Sequence, residues 1–239
     1  MNLFAVETST ERLSLAILRD GSVFERDVEA GQTHSDLALP LMRELFAEAK
    51  IAIKDLDAIV FGQGPGSFTG VRIACGLAQG LSLGSGVPML AVETQMLVAE
   101  QVGAAKVVVA LDARMDEIYL AAYEHDAAAA CGWCSSLPPC LVRKDDLPAL
   151  RGADWVLAGS ATASDSLLGA LESSYAPQLG AILPGIAPRA RDALGIAVRE
   201  IGRSGLDRCV AARDAAPLYL RNRVALTIEE RAAARAVAS

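Results

Sequence analysis

Few side chains in this sequence are placed to do chemistry, and those few gather at two strand ends and one glycine-rich loop. Glu7-Thr8-Ser9-Thr10 puts an acid at the end of an apolar run and three hydroxyls after it, residue types that could hold a metal-bound phosphate. The run has no glycine, so its backbone cannot approach a phosphate closely, and a purely structural turn is the alternative reading. Asp112 closes a second apolar run, Val108-Val109-Ala110-Leu111, and is the natural counterpart of Glu7 for the same task. Between them lies Gly64-Pro65-Gly66-Ser67-Phe68-Thr69-Gly70, which forces a bend before a helix that Ser67 or Thr69 can cap. Amide-rich helix starts attract anions. Yet the lysine of a GxxxxGK[ST] phosphate loop is missing, Arg72 is the one nearby cation, and close strand-to-helix packing explains the loop equally well.

Other catalytic patterns are thin. The two histidines are His34, read as a capping or surface residue before a helix, and His125; there is no HExxH. Five cysteines are an odd number, and Cys131-Gly132-Trp133-Cys134 has redox spacing in a loop-like setting, so incidental thiols are expected. A zinc cluster of His125 with Cys131, Cys134 and Cys140 matches no common module.

The elements that must position these residues follow from hydrophobic periodicity. Residues 2–6, 12–18 and 22–28 read as three antiparallel strands, the last two joined by Asp20-Gly21. Leu37, Leu41, Met42, Leu45 and Ala49 mark one face of a helix capped by Ser35, and Asp57 to Gly62 is a buried strand. A helix over Val71 to Leu83, a strand over Met89 to Val92 and a helix capped by Thr94 complete β-β-β-α-β-α-β-α. Gly76, Gly80 and Gly84 open a flat strip on which a second helix can pack. The opening pattern then recurs 105 residues later, with Glu7 on Asp112, Leu13 on Ile118 and Leu15 on Leu120. This predicts an α/β chain of two duplicated subdomains, 1–104 and 105–239. The second half reads as a loop-rich insertion over 125–141, a strand over Trp155 to Ala158, and helices over Ala161–Glu172 and Ala187–Ser204.

Composition narrows the function. The 239 residues are 52% hydrophobic, 21% charged and 5% aromatic, with a net charge of −7, the profile of a globular domain and a poor match to a phosphate-binding surface. Residues 199–239 are locally cationic, with eight basic side chains, all arginine, against five acids; a solvated helical face is the expected use. Met1 to Glu7 has no basic start and soon meets an acid, so no signal peptide is expected and the chain is expected in the cytoplasm, without a membrane anchor.

Taken together, Phe4-Ala5-Val6-Glu7-Thr8-Ser9-Thr10, His34-Ser35, Gly64-Pro65-Gly66-Ser67-Phe68-Thr69-Gly70-Val71-Arg72-Ile73, Asp112-Ala113-Arg114 and Pro217-Leu218-Tyr219-Leu220-Arg221 resemble the TsaB (YeaZ) family over nearly the whole chain. Glu7 stands where that family usually has Asp. The resemblance implies two actin/Hsp70-like subdomains and a noncatalytic scaffold, acting with TsaD and TsaE to form N6-threonylcarbamoyladenosine at position 37 of ANN-decoding tRNAs in bacteria. The paralogue TsaD carries a metal-binding HxxxH where this chain has Thr94 and Val98, so no metal and no catalytic residue are expected. The same resemblance places the contact with TsaD, or with a second copy of the chain, on His34, Leu37, Leu41, Leu45, Arg72, Ala74, Gly76, Leu77, Gly80 and Gly84. Nucleotide binding falls to Glu7, Thr8, Ser9, Thr10 and Asp112, with no cofactor held by the chain alone. ATP or ADP with magnesium, and tRNA, are expected only in the complex. The rivals are an independent actin-like ATPase or kinase using Glu7 and Asp112, and a glycoprotease-type peptidase.

Overall fold

The computed structural model describes residues 1–221. Its first sheet is built on β1 (Leu3–Glu7), buried along its whole length because strands flank it on both sides and helices cover both faces. β1 pairs antiparallel with β2 (Arg12–Arg19), whose other edge carries β3 (Ser22–Glu29). On its far side β1 pairs parallel with β4 (Ala58–Gly62), which pairs with β5 (Met89–Val92), giving the order β3-β2-β1-β4-β5. Asp20 and Gly21 both take positive φ in the β2–β3 turn, as a two-residue hairpin loop requires.

The second sheet repeats the plan. β6 (Lys106–Asp112) pairs antiparallel with β7 (Glu117–His125), which pairs with β8 (Trp133–Arg143). On its other side β6 pairs parallel with β9 (Trp155–Gly159), followed by β10 (Leu179–Pro184). The order β8-β7-β6-β9-β10 matches the first sheet strand for strand, so the 105-residue recurrence is a structural duplication.

Helices α1 (His34–Ala49) and α2 (Phe68–Ser85) cover one face of the first sheet, packing Met42, Leu45, Ala74 and Ala78 on Phe4, Val6, Leu13 and Ile59. The opposite face, Leu3, Ala5, Val60 and Leu90, is closed by α5 (Ala190–Ser204) through Ala190, Ala193, Leu194 and Ala197. The two sheets meet after α3 (Thr94–Val102), and α4 (Asp165–Tyr175) packs on the second.

Several sequence expectations are corrected. Ser35 lies inside α1 and caps nothing; the cap position is Thr33, whose hydroxyl bonds Ala30 O. α2 starts three residues before Val71, and its cap is Ser67, which accepts from the Gly70 N–H at 3.3 Å, while Thr69 is helical. Thr94 is the first residue of α3 and its hydroxyl serves the core. Residues 133–143 form an edge strand, so the loop shrinks to 126–132; Pro138-Pro139 and register shifts against β7 had broken the alternation. β10 gave no signal, since Gly180 and Pro184 mask a short, mostly exposed edge strand. α5 starts at Ala190 because the residues around Pro188 are extended. The arginines of 222–239 lie outside the described residues.

Candidate functional site

The glycine-rich loop is shaped by the turn that follows β1. Ser67 N–H donates to Ser9 O at 2.7 Å, and Thr8 Oγ1 donates to Gly70 O at 2.7 Å. A Cβ on Gly70 would lie 1.9 Å from Thr8 O, so only glycine lets the helix start this close to the turn. Beneath them sits Glu7, fully buried. Its Oε1 accepts the Ser9 N–H; its Oε2 accepts the Thr94 hydroxyl at 3.2 Å, and Thr94 Oγ1 in turn accepts the Gly64 N–H at 3.1 Å. Burial pushes the Glu7 carboxyl above the usual carboxylate range, against the opposing pull of the bonds from Ser9, Thr94 and Thr8.

Above this buried knot an open cleft of about 1060 Å³ runs between the two sheets, bordered by Ser9, Thr10, Thr69, Asp112, Arg114 and Tyr219 among others. Asp112 is half-buried at its floor: its N–H donates to Ser160 Oγ at 3.0 Å and its Oδ1 accepts the Arg114 N–H at 2.7 Å. Arg114 reaches across to Glu11 at 2.8 Å, a solvent-exposed pair that adds little to stability.

These residues do not fit a magnesium nucleotide. The Glu7 carboxylate and the Thr8 hydroxyl, expected to face it, point inward and are committed to Ser9, Thr94 and Gly70, so their assignment as ligands is corrected. Only Ser9, Thr10 and Asp112 of that set border the cleft. The sequence hid this because an acid at a strand end looks the same whether it faces outward or inward. Gly62 is the signal that could have found it: a Cβ there would lie 1.7 Å from Glu7 Oε2, so the glycine makes room for an inward carboxylate. His125, Cys131, Cys134 and Cys140 do not converge either, and no group of three or more His, Cys, Asp or Glu could hold a metal among the described residues.

The expected contact residues divide. Leu45 and Ala74 are fully buried in the first core, and His34 is 5% exposed with Nε2 3.1 Å from Arg12 O, so their placement on a contact surface is corrected. Leu37, Leu41 and Leu77 are half-buried, while Arg72, Gly76, Gly80 and Gly84 are exposed. A Cβ on Gly76, Gly80 or Gly84 would meet nothing within 4 Å, so these glycines face outward. Leu83, 77% exposed, flanks the glycine strip; periodicity alone does not assign it there.

Behind the cleft the halves are riveted. Arg199 of α5 forks onto Glu100 of α3 at 2.9 and 2.5 Å and donates to Cys131 O, and Trp133 Nε1 donates to the same Glu100 at 2.7 Å. Half-buried Asp192 accepts from Gln101 at 3.3 Å, and desolvation pushes its carboxyl to about 6. The segment 210–221 straps the front: Val210 bridges Met89, Leu218 N–H donates to Gln63 O, and Arg221 binds Ala113 O and Glu117 on the second sheet.

Fold and cleft define a duplicated α/β protein, and its residues 28–132 match the family model "TsaD: tRNA N6-adenosine threonylcarbamoyltransferase". The crystal structure of YeaZ from Pseudomonas aeruginosa superimposes with a TM-score of 0.77 at 31% identity, covering 92% of this chain and 99% of that one. A Pseudomonas aeruginosa protein with similarity to peptidase YeaZ gives 0.81 at 33% identity over the same shares. The chain is 36% identical over 234 residues to the tRNA threonylcarbamoyladenosine biosynthesis protein TsaB of Escherichia coli (strain K12), covering 94% of this chain and 96% of that protein. It belongs to the TsaB family. No helix among the described residues is long and apolar enough to cross a membrane.

Proposed function

We propose that this chain takes part in threonylcarbamoyladenosine formation on tRNA as a noncatalytic scaffold that binds and activates a TsaD subunit, with TsaE as a further member. The observation that carries the reading is the outer face of α2, where Gly76, Gly80 and Gly84 leave a Cβ-free strip flanked by exposed Leu83. Such a strip costs helix propensity and gains nothing within the chain, while it lets a second helix approach closely. The buried positions 94 and 98 support the noncatalytic part: Thr94 spends its hydroxyl on Glu7, and Val98 packs in the core that joins α3 to the second sheet. tRNA is reached through the complex, in keeping with the net charge of −7. Depletion of the protein should lower threonylcarbamoyladenosine in tRNA nucleosides measured by mass spectrometry, and the wild-type chain should restore it. Gly80→Leu, which fills the strip without touching the core, should fold normally, bind TsaD at least tenfold more weakly and fail to restore the modification. Full restoration by Gly80→Leu would overturn the placement; unchanged modification on depletion would overturn the function.

A further inference from the structure

Eleven aromatic side chains are present, and only two of them, Phe68 and Tyr219, are exposed, at 41% and 46%. They come from segments about 150 residues apart and meet each other with ring centroids 5.8 Å apart. Arg72 joins them, its guanidinium carbon 3.3 Å from the Phe68 centroid and 5.1 Å from that of Tyr219. Rings over a guanidinium restrict a side chain that otherwise carries large rotamer entropy, and leave its edge donors pointing outward. Among the described residues Arg72 forms no ion pair, whereas Arg12, Arg114, Arg199 and Arg221 are all paired, and α2 contains no acid. Among the described residues, the two outward aromatics thus surround one pre-oriented guanidinium that has no ion pair.

We infer that Arg72, held by Phe68 and Tyr219, anchors a carboxylate side chain on the partner subunit's facing helix. This rests on the scaffold reading above. Phe68, Arg72, Gly76, Gly80 and Gly84 recur every four residues along α2, a row that turns by about 40° at each step, so Arg72 stands one turn from Gly76 and its long side chain reaches a helix seated on Gly76 and Gly80. The fork geometry suits a carboxylate or a phosphate. Seventeen acids within residues 1–125 against nine bases disfavour a polyanionic RNA backbone and leave a single protein carboxylate as the fitting occupant. A helix seated on the strip would close the fork between itself and the two rings, and the loss of water there would strengthen the pair. Tyr219 also sits two residues before Arg221, which is tied to the second sheet, so the anchor is completed only when the strap is seated.

The test is calorimetric titration of the full chain with the TsaD subunit at several salt concentrations, for wild type, Arg72→Ala, Arg72→Lys, Tyr219→Ala and Gly80→Leu, with thermal melts as folding controls. Arg72→Ala and Arg72→Lys should both weaken binding ten- to a hundredfold, Tyr219→Ala several-fold, and the salt dependence of the wild type should flatten in Arg72→Ala. Wild-type affinity in Arg72→Ala, with binding lost in Gly80→Leu, would overturn the anchor and leave the scaffold reading standing. Full affinity in Arg72→Lys would also overturn it, because a point charge would then suffice. Loss of self-association alone in Arg72→Ala would assign the fork to a second copy instead. No binding by the wild type would overturn both readings.

Discussion

The pairing of Glu7 with Gly62 can be tested as a thermodynamic cycle. A Cβ on Gly62 would lie 1.7 Å from Glu7 Oε2 and 2.7 Å from Cδ, so Gly62→Ala must drive the carboxylate off its bonds to Ser9 and Thr94. Overpacking costs about 1–3 kcal/mol and stranding a buried acceptor a further ~1–3, so Gly62→Ala should destabilise by about 4 kcal/mol. Glu7→Asp draws the carboxylate back by one methylene, stretching those bonds and leaving a small void, at about 2 kcal/mol. The retracted carboxylate vacates the space the new methyl needs, so the double variant should lose only about 3 kcal/mol, a coupling of about 3 kcal/mol. Urea unfolding of the four proteins at pH 7, followed by circular dichroism, measures each corner. Additive losses, to within about 0.5 kcal/mol, would show that Glu7 does not occupy the pocket beside Gly62 and would return it to the cleft.

Two further outcomes follow from the rivet behind the cleft. The native state holds the Asp192 proton up to about pH 6, against an ordinary value of 3.8, so wild-type stability should fall as pH rises from about 4 to 6 and stay low above that. The full difference is worth about 3 kcal/mol, which solvent screening at this half-buried site reduces to about 1–2. Asp192→Asn should therefore be more stable than wild type by that amount at pH 7.5 and equal to it at pH 3.5, in urea titrations at both values. Arg199→Ala, which strands Glu100 and frees Cys131 O, should cost about 2 kcal/mol and speed amide exchange in residues 126–133; unaltered exchange there would show that the loop is held by other contacts.

Much of the scaffold was legible in the sequence because strand alternation and repeat spacing are local properties. The offset of 105 residues carried Glu7 onto Asp112 and proved to be two sheets of matching strand order. Side-chain direction was less legible. Leu45 and Leu41 are four residues apart on one helix, yet the first is fully buried and the second half-buried, because four residues leave their directions about 40° apart and Leu41 falls at the edge of the buried stripe. The sequence leaves Glu7 open between a phosphate ligand and a structural turn because nothing in the first seven residues reveals Gly62 and Thr94, 55 and 87 positions away. The Phe68–Arg72–Tyr219 cluster was invisible for the same reason: two of its three members are local to α2, and Tyr219 arrives on a strap from the far end of the described residues.

The return of α5 to the first sheet governs how this chain can be made. All five strands of that sheet have left the ribosome once residue 92 is out, but the face formed by Leu3, Ala5, Val60 and Leu90 waits for Ala190 to Ala197. At synthesis rates of roughly 5–20 residues per second, that is about 5–20 seconds during which a finished sheet offers bare apolar surface. Translation speed between residues 92 and 190 therefore sets the exposure of the nascent chain to aggregation. A segment ending at residue 104 would keep that surface open permanently, so the duplicated halves fold as one unit despite their shared design.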